Sequence, residues 1–314
     1  MARGDGAFTA FFLIVPVSWA GSFIAGKYVV QSLDPVESTF LRFLLSALAM
    51  FPGLLLFHRR RHPDFRERGF LKHLGLGVLT AGLGYHLLFF WGLKLATPTN
   101  ASLLIALNPF FTALGEVAFF HHRRPGRFYA GFALAFAGAA GVIVSRGGVP
   151  RLDNLGAGEL ICLAAAVTWS VYTLLARSTK APHWDALWIN AYSYLVTALL
   201  LVPFCTGLLG PAALGAVPAE AWWGTLYMAV FPTAIGYTLF YVGVQRKGGA
   251  WAAAFSYLVP SLTALLDHLF FHAAVTAPMA VGTALVVGGL LLGNLPSRPP
   301  LKPGLSTTNH TNSH

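Results

Sequence analysis

The chain has 314 residues, of which 56% are hydrophobic and only 10% charged, with a mean hydropathy of +0.64. A water-soluble domain carries about 25% charged residues, so this composition excludes an ordinary globular enzyme and fits a chain dissolved in lipid. The net charge of +10 would point to nucleic acid in a soluble protein. Here the basic residues sit in loops at the ends of apolar blocks, as membrane topology requires, and nucleic acid is set aside as a partner.

The apolar signal comes in ten blocks, and their spacing predicts helical spans over 8–30, 35–57, 70–92, 98–120, 126–145, 156–176, 184–205, 219–243, 249–271 and 276–295. Each is long enough to cross a hydrocarbon core of about 30 Å as a helix. The first block outlasts the apolar stretch of a signal peptide and reads as an uncleaved span. The breaks are charged or rich in Gly and Pro, as in Arg123-Arg124-Pro125-Gly126 and Arg246-Lys247-Gly248-Gly249. Residues 296–314 carry no apolar face and read as a disordered cytoplasmic tail. Cys162 and Cys205 both fall inside spans, which argues for small buried apolar residues and against a disulfide framework.

Orientation follows from the basic residues. With the N-terminus inside, sixteen Lys and Arg fall on the cytoplasmic side and three (Lys94, Arg146, Arg151) outside. This bias places both termini in the cytoplasm. Trp184, Trp188, Trp222 and Trp223 stand at span ends, where indole prefers the membrane interface.

The two halves of the chain align at an offset near 150. Val17-Ser18-Trp19-Ala20 matches Val167-Thr168-Trp169-Ser170, Gly84-Tyr85 matches Gly236-Tyr237, and Pro109 through Leu114 matches Pro260 through Leu265. Glu116 falls opposite Asp267, and His121 opposite His272. Five spans cannot return the chain to its starting side, so the second copy inserts upside down, the construction of many transporters. The expected fold is an all-α membrane protein of ten transmembrane helices in two inverted five-helix repeats, 1–150 and 151–295.

On these residues the chain resembles the drug/metabolite transporter superfamily, and within it the bacterial EamA-type members with ten spans. The resemblance rests on Trp19-Ala20-Gly21-Ser22-Phe23 with Lys27, on Arg42-Phe43, and on the segments Ala101 to Pro109 and Ala254 to Pro260. It implies a bacterial inner-membrane carrier, usually an exporter of amino acids, other metabolites or drugs. One departure stands out. Where such proteins often place a Gly-Glu pair at the ends of spans four and nine, this chain has His121-His122 and His272-Ala273.

A carrier needs bending helices, close-packed faces and a polar pocket. Pro16, Pro109, Pro232 and Pro260 lie within spans and are the candidate hinges, since each removes a backbone hydrogen bond. Gly131, Gly138 and Gly141 in span five, with Gly282, Gly289 and Gly293 in span ten, form a candidate static or dimeric seam. The pocket candidates are Trp19, Tyr85, His86, Asn108, Trp169, Tyr172, Tyr237 and Tyr257, with Trp251 beside them. Their rings offer apolar area with a polar handle. Charged residues inside spans cost about 2.5–3.5 kcal/mol each, which singles out Lys27, Glu37, Arg42, Glu116 and Asp267 for gating or coupling. Glu37 and Arg42 form either a gate or a structural ion pair, and Lys27 either snorkels, holds a carboxylate or pairs with Glu37.

The expected function is a secondary transporter, an exporter of small metabolites with amino acids first among them. Each five-span half, or its four-helix core, rocks about a central site. An exporter of drugs or organic cations by proton antiport is the alternative. An embedded enzyme fits less well, because neither a metal-protease motif nor a nucleophile with its base is present, and a scaffold fits less well, because Asn108 and the paired acids stand within spans. No cofactor or metal is expected, the histidine clusters lying on opposite faces. A small-molecule substrate, surrounding lipid and a monomeric or homodimeric state complete the expectation.

Overall fold

The computed structural model describes residues 8–58, 62–63, 65–66, 68–121, 124–144, 156–178, 186–247 and 249–294. The predicted tail, 296–314, lies outside them. Ten helical spans follow the predicted order. They are α1 (Phe8–Ser32), α2 (Pro35–Phe57), α3 (68–95), α4 (98–120), α5 (Gly126–Val144), α6 (Ala157–Ser178), α7 (186–204), α8 (219–247), α9 (249–271) and α10 (Ala277–Asn294). On length and composition alone, six stretches suffice to cross a membrane, with Val259–Phe271 and Ala277–Gly293 as shorter apolar helices. A short helix, Pro211–Ala216, joins α7 to α8.

Local chemistry sets the ends of these helices. Asp34 caps α2, accepting from the backbone N–H of Val36 and Glu37, while Glu37 accepts from the Asp34 N–H. This reciprocal capping box, with Pro35 in the first turn, satisfies donors that a helix start leaves open. Thr97 caps α4 with a single bond, accepting from Asn100 N–H, and Pro98 follows it. Both α4 and α9 are interrupted in mid-span. The first piece of α4 ends at Ile105 and the second starts at Asn108, and the pieces of α9 meet between Ser256 and Val259. Pro109 and Pro260 occupy the first turn of the second pieces, where a missing N–H is harmless.

The most extensive helix contacts join one repeat to the other. α1 packs along α8 and α9, α6 along α3 and α4, α2 against α7, and α5 against α10. The two halves of the sequence are therefore interleaved, with spans of one repeat packed along spans of the other.

The α5–α10 seam lies within one chain. A methyl group on Gly131 would stand 2.5 Å from the carbonyl oxygen of Gly289, and one on Gly138 2.6 Å from that of Gly282. Such backbone approach is available only to glycine. Gly293 abuts the Phe110 ring, whereas Gly141, grouped with the seam by its spacing, faces open space.

Candidate functional site

Two symmetry-related stretches of π-helix shape the centre of the bundle. One is Gly77–Tyr85 in α3, the other Ala229–Gly236 in α8, and the repeat-matched tyrosines Tyr85 and Tyr237 stand at their C-terminal ends. A π segment widens the helix and turns carbonyls away from the regular ladder, a feature frequent at functional sites. Pro232 lies inside the second segment. The first packs so closely on α7 that side chains at Gly77 or Gly82 would collide with Ser193 or Thr197. Pro16 follows an interruption of α1 at Leu13, whose N–H reaches back to Ala10.

Around these segments six of the eight predicted pocket residues come together. Trp19 meets Tyr237 at 5.7 Å between ring centroids, and its repeat counterpart Trp169 meets Tyr85 at 5.0 Å. Each pair crosses between repeats, and Trp169 also stacks on Tyr237 at 6.4 Å and 22°. Tyr172 lies 5.6 Å from Trp169, and His86 4.8 Å from Tyr85. The His86 Nδ1 contacts the Ala81 carbonyl at 2.7 Å, five residues back in the π segment. The remaining two stand apart from this chain of rings. Asn108 sits at the break in α4, where its carbonyl accepts from Ser170 Oγ at 2.8 Å. Tyr257 is buried at the break in α9. Trp251 belongs to a packing cluster with Phe8, Phe12 and Phe255, which Trp19 borders from the side of the rings.

Arg42 reaches this centre from α2. It is 5% exposed, and its guanidinium contacts Thr233 Oγ1 at 3.4 Å and Met228 Sδ at 3.9 Å, both on α8. It stands 5.7 Å from the Phe89 ring centroid and 6.0 Å from that of Phe90. Its Nε has no hydrogen-bond partner. Tyr85, Tyr194, Tyr237 and His86 lie within electrostatic reach. Among the described residues no carboxylate pairs with it. The ion pair expected with Glu37 is absent because Glu37 is engaged in the capping box at the helix start.

The other predicted charges lie at helix ends. Lys27 Nζ donates to the carbonyls of Leu93 at 2.7 Å and Ala96 at 2.8 Å, closing the C-terminus of α3, where a cation opposes the helix dipole favourably. Asp267 Oδ2 accepts from Thr99 Oγ1 at 2.5 Å and Thr99 N–H at 3.2 Å, which places a carboxylate at the N-terminus of α4. Asn100 Nδ2 donates to Glu159 Oε1 at 2.9 Å beside it. Glu116 pairs with Arg124 at the other face of the bundle. The two acids expected deep in spans are thus at opposite ends, away from the rings. His121 and His272, the residues departing from the family pattern, are the left-handed C-caps of α4 and α9, with φ of 55° and 53°. Glycine favours that conformation, so both histidines stand where a residue without a side chain is the easier fit.

Sequence reasoning did not find Tyr194, Met228, Thr233 or the π segments. Phe43 stacks on Tyr194 at 4.8 Å and 14° and turns its edge to His86. The available signals were the Gly-Tyr pair repeated in α3 and α8, and an arginine with no carboxylate three or four residues away (Ser38, Thr39, Leu45 and Ser46 stand there). By contrast, the groove between α2 and α7, lined by Leu44, Ala47, Leu48, Phe51, Pro52, Leu55 and Leu195, has no polar side chain to orient a solute.

Comparison with known proteins gives this architecture its family. The model of the EamA-like transporter family matches residues 7–144 and 156–295. The chain belongs to that family. This EamA-like chain is 30% identical over 285 residues to a probable terminal-alkyne amino-acid exporter of Streptantibioticus cattleyicolor, covering 90% of this chain and 91% of that one. It is 29% identical over 225 residues to the aromatic amino acid exporter YddG of Ancylobacter novellus, covering 71% and 75%. A probable amino-acid metabolite efflux pump of Escherichia coli is 26% identical over 93% of this chain and 95% of its own. A solved crystal structure superposes with a TM-score of 0.63 at 25% identity, covering 91% of this chain and 96% of its own. The EamA-like chain is a multi-pass membrane transporter of ten helices in two inverted repeats, acting on a small-molecule substrate.

Proposed function

We propose that this transporter exports amino acids, with aromatic side chains favoured, by alternating access. The observation that carries the reading is the cluster of rings that both repeats bring to the centre of the bundle. Trp19, Tyr85, Trp169, Tyr172 and Tyr237 surround a centre whose one close full charge among the described residues is Arg42. Aromatic rings bury a ring-bearing solute and orient it by their N–H and O–H groups, and their faces attract an ammonium group. Three relatives named as exporters of amino acids or their metabolites support the same substrate class. A cation or drug exporter is less well matched, because the acids that would neutralise a cation lie at the helix ends.

The face at which α1 begins is cytoplasmic in this reading, as the distribution of Lys and Arg argues, and the membrane is the bacterial inner membrane. Residues 1–150 and 151–295 are the two repeat units. The moving bodies are mixed, α1 with α8 and α9 against α6 with α3 and α4, since those sets pack together. Lys27 and the Asp267–Thr99 contact hold the outer ends and part during the cycle. Pro16, Pro109, Pro232 and Pro260 mark where helices flex. The α5–α10 seam is completed within one chain, so a lipid-embedded monomer suffices.

Efflux from proteoliposomes loaded with a labelled amino-acid mixture tests this reading. Protein-dependent efflux of aromatic amino acids is expected, and Trp169→Ala lowers it by about tenfold, the loss of roughly 1.4 kcal/mol of ring contact. Efflux confined to organic cations would replace the reading with its alternative.

A further inference from the structure

Resting on the amino-acid reading above, the geometry points to Arg42 as the anchor for the substrate's carboxylate, so that the transporter selects carboxylate-bearing solutes over the corresponding amines and amides.

A guanidinium carries five N–H donors in a planar fork and cannot be neutralised in a protein. In α2 this fork is almost fully buried, and its protein contacts are weak. One is a long hydrogen bond to the Thr233 hydroxyl and one a contact to a thioether sulfur, while Nε has no partner at all. The faces of the Phe89 and Phe90 rings add cation–π attraction, which takes up none of its N–H donors. A buried charge left this poorly satisfied is costly. The other intramembrane charges are satisfied differently. Lys27 has helix-end carbonyls, Asp267 has Thr99, and Glu116 has Arg124.

The position of Arg42 makes the unspent donors useful. Thr233 and Met228, which it touches, belong to α8 at the π segment leading to Tyr237. Tyr85, Tyr194 and Tyr237 surround it with neutral phenols, and His86 stands near. None of these groups supplies a negative charge of its own at neutral pH. The repeat also makes Arg42 singular, because an offset of 150 to 152 falls on Tyr192, Ser193 and Tyr194. Only the first repeat therefore brings an anion-binding side chain to the centre. A carboxylate meets the fork with two parallel charge-assisted bonds. Its side chain then lies against Trp169 and Tyr85, and its ammonium group faces the rings and freed carbonyls.

The test uses the full-length chain in proteoliposomes with labelled phenylalanine inside. Unlabelled 3-phenylpropionate, phenethylamine and phenylalaninamide serve as competitors. In the wild type, 3-phenylpropionate competes and the two carboxylate-free compounds do not. Arg42→Lys, which keeps the charge and loses the fork, raises KM for phenylalanine by about tenfold or more, with kcat less affected. Competition by phenethylamine equal to that by phenylalanine, or an unchanged KM in Arg42→Lys, overturns the assignment. If Arg42→Lys does not fold, competition in the wild type decides alone. If the wild type moves no amino acid, the export reading fails separately, and thermal melts with 3-phenylpropionate against phenethylamine decide the anchor. Stabilisation by the carboxylate alone supports it, and stabilisation by neither or by both overturns it.

Discussion

The indole N–H of Trp19 donates to the carbonyl of Pro232 at 3.3 Å. This bond ties α1 of the first repeat to the π segment of α8 in the second, and sets the ring that faces Tyr237. Its counterpart Trp169 meets Tyr85 with no such bond described, so the two halves of the pocket are alike in ring placement and different in how firmly each ring is held.

That difference is measurable. Trp19→Phe keeps an aromatic ring and removes the donor, at an expected cost of about 1 kcal/mol. Trp169→Phe removes no described bond and costs less. Thermal melts of the purified variants in one detergent compare them, and a Trp169→Phe variant melting at or below Trp19→Phe contradicts the assignment.

The left-handed histidines give a prediction of opposite sign. A non-glycine residue in that conformation is strained by about 1 kcal/mol, and His121 and His272 both adopt it. His121→Gly and His272→Gly each raise the melting temperature, and the double variant adds the two gains because the sites end different spans. No rise in either variant means that the imidazoles contribute contacts worth as much as the strain.

The glycine seam separates two classes of substitution. Gly131→Ala drives a methyl to 2.5 Å from a backbone oxygen, so the helices must part; a loss of about 1–3 kcal/mol is expected. Gly141→Ala and Gly288→Ala meet nothing within 4 Å and leave stability unchanged. Equal melting temperatures for Gly131→Ala and Gly141→Ala refute the seam.

Asp267 is placed as a cap by its two bonds to Thr99. Asp267→Ala leaves those donors open and lowers stability by about 1–3 kcal/mol. Asp267→Asn retains an acceptor and loses less. Efflux in the Asn variant keeps whatever response to an imposed pH gradient the wild type shows. A folded Asp267→Asn variant that has lost that response assigns the residue to proton coupling instead.

Much of the fold was legible because the membrane imposes strong local rules. Apolar length located the spans, and boundaries such as Pro35, Pro98 and Phe57 agree with the structure. Repeat matching singled out Trp19, Trp169, Tyr85 and Tyr237, which do meet. The charges were harder. Glu37, Glu116 and Asp267 look intramembrane on a linear map, yet their partners are Asp34 N–H, Arg124 and Thr99. The last two lie eight and 168 residues away, and nothing in the local pattern names a partner so distant.

The sequence by itself determined the ten apolar spans, the inverted repeat and the family, because each is written in residue type and period along one chain. Only the tertiary structure decided which spans touch and which charges are satisfied. It interleaved the repeats, converted two stretches of α3 and α8 to π-helix, and carried the acids to helix termini. It also left Arg42 nearly alone among neutral rings. The physical reason is that lipid demands internal hydrogen bonding of the backbone within each span, which local sequence can specify. The pairing of polar side chains depends on packing between helices, which it cannot.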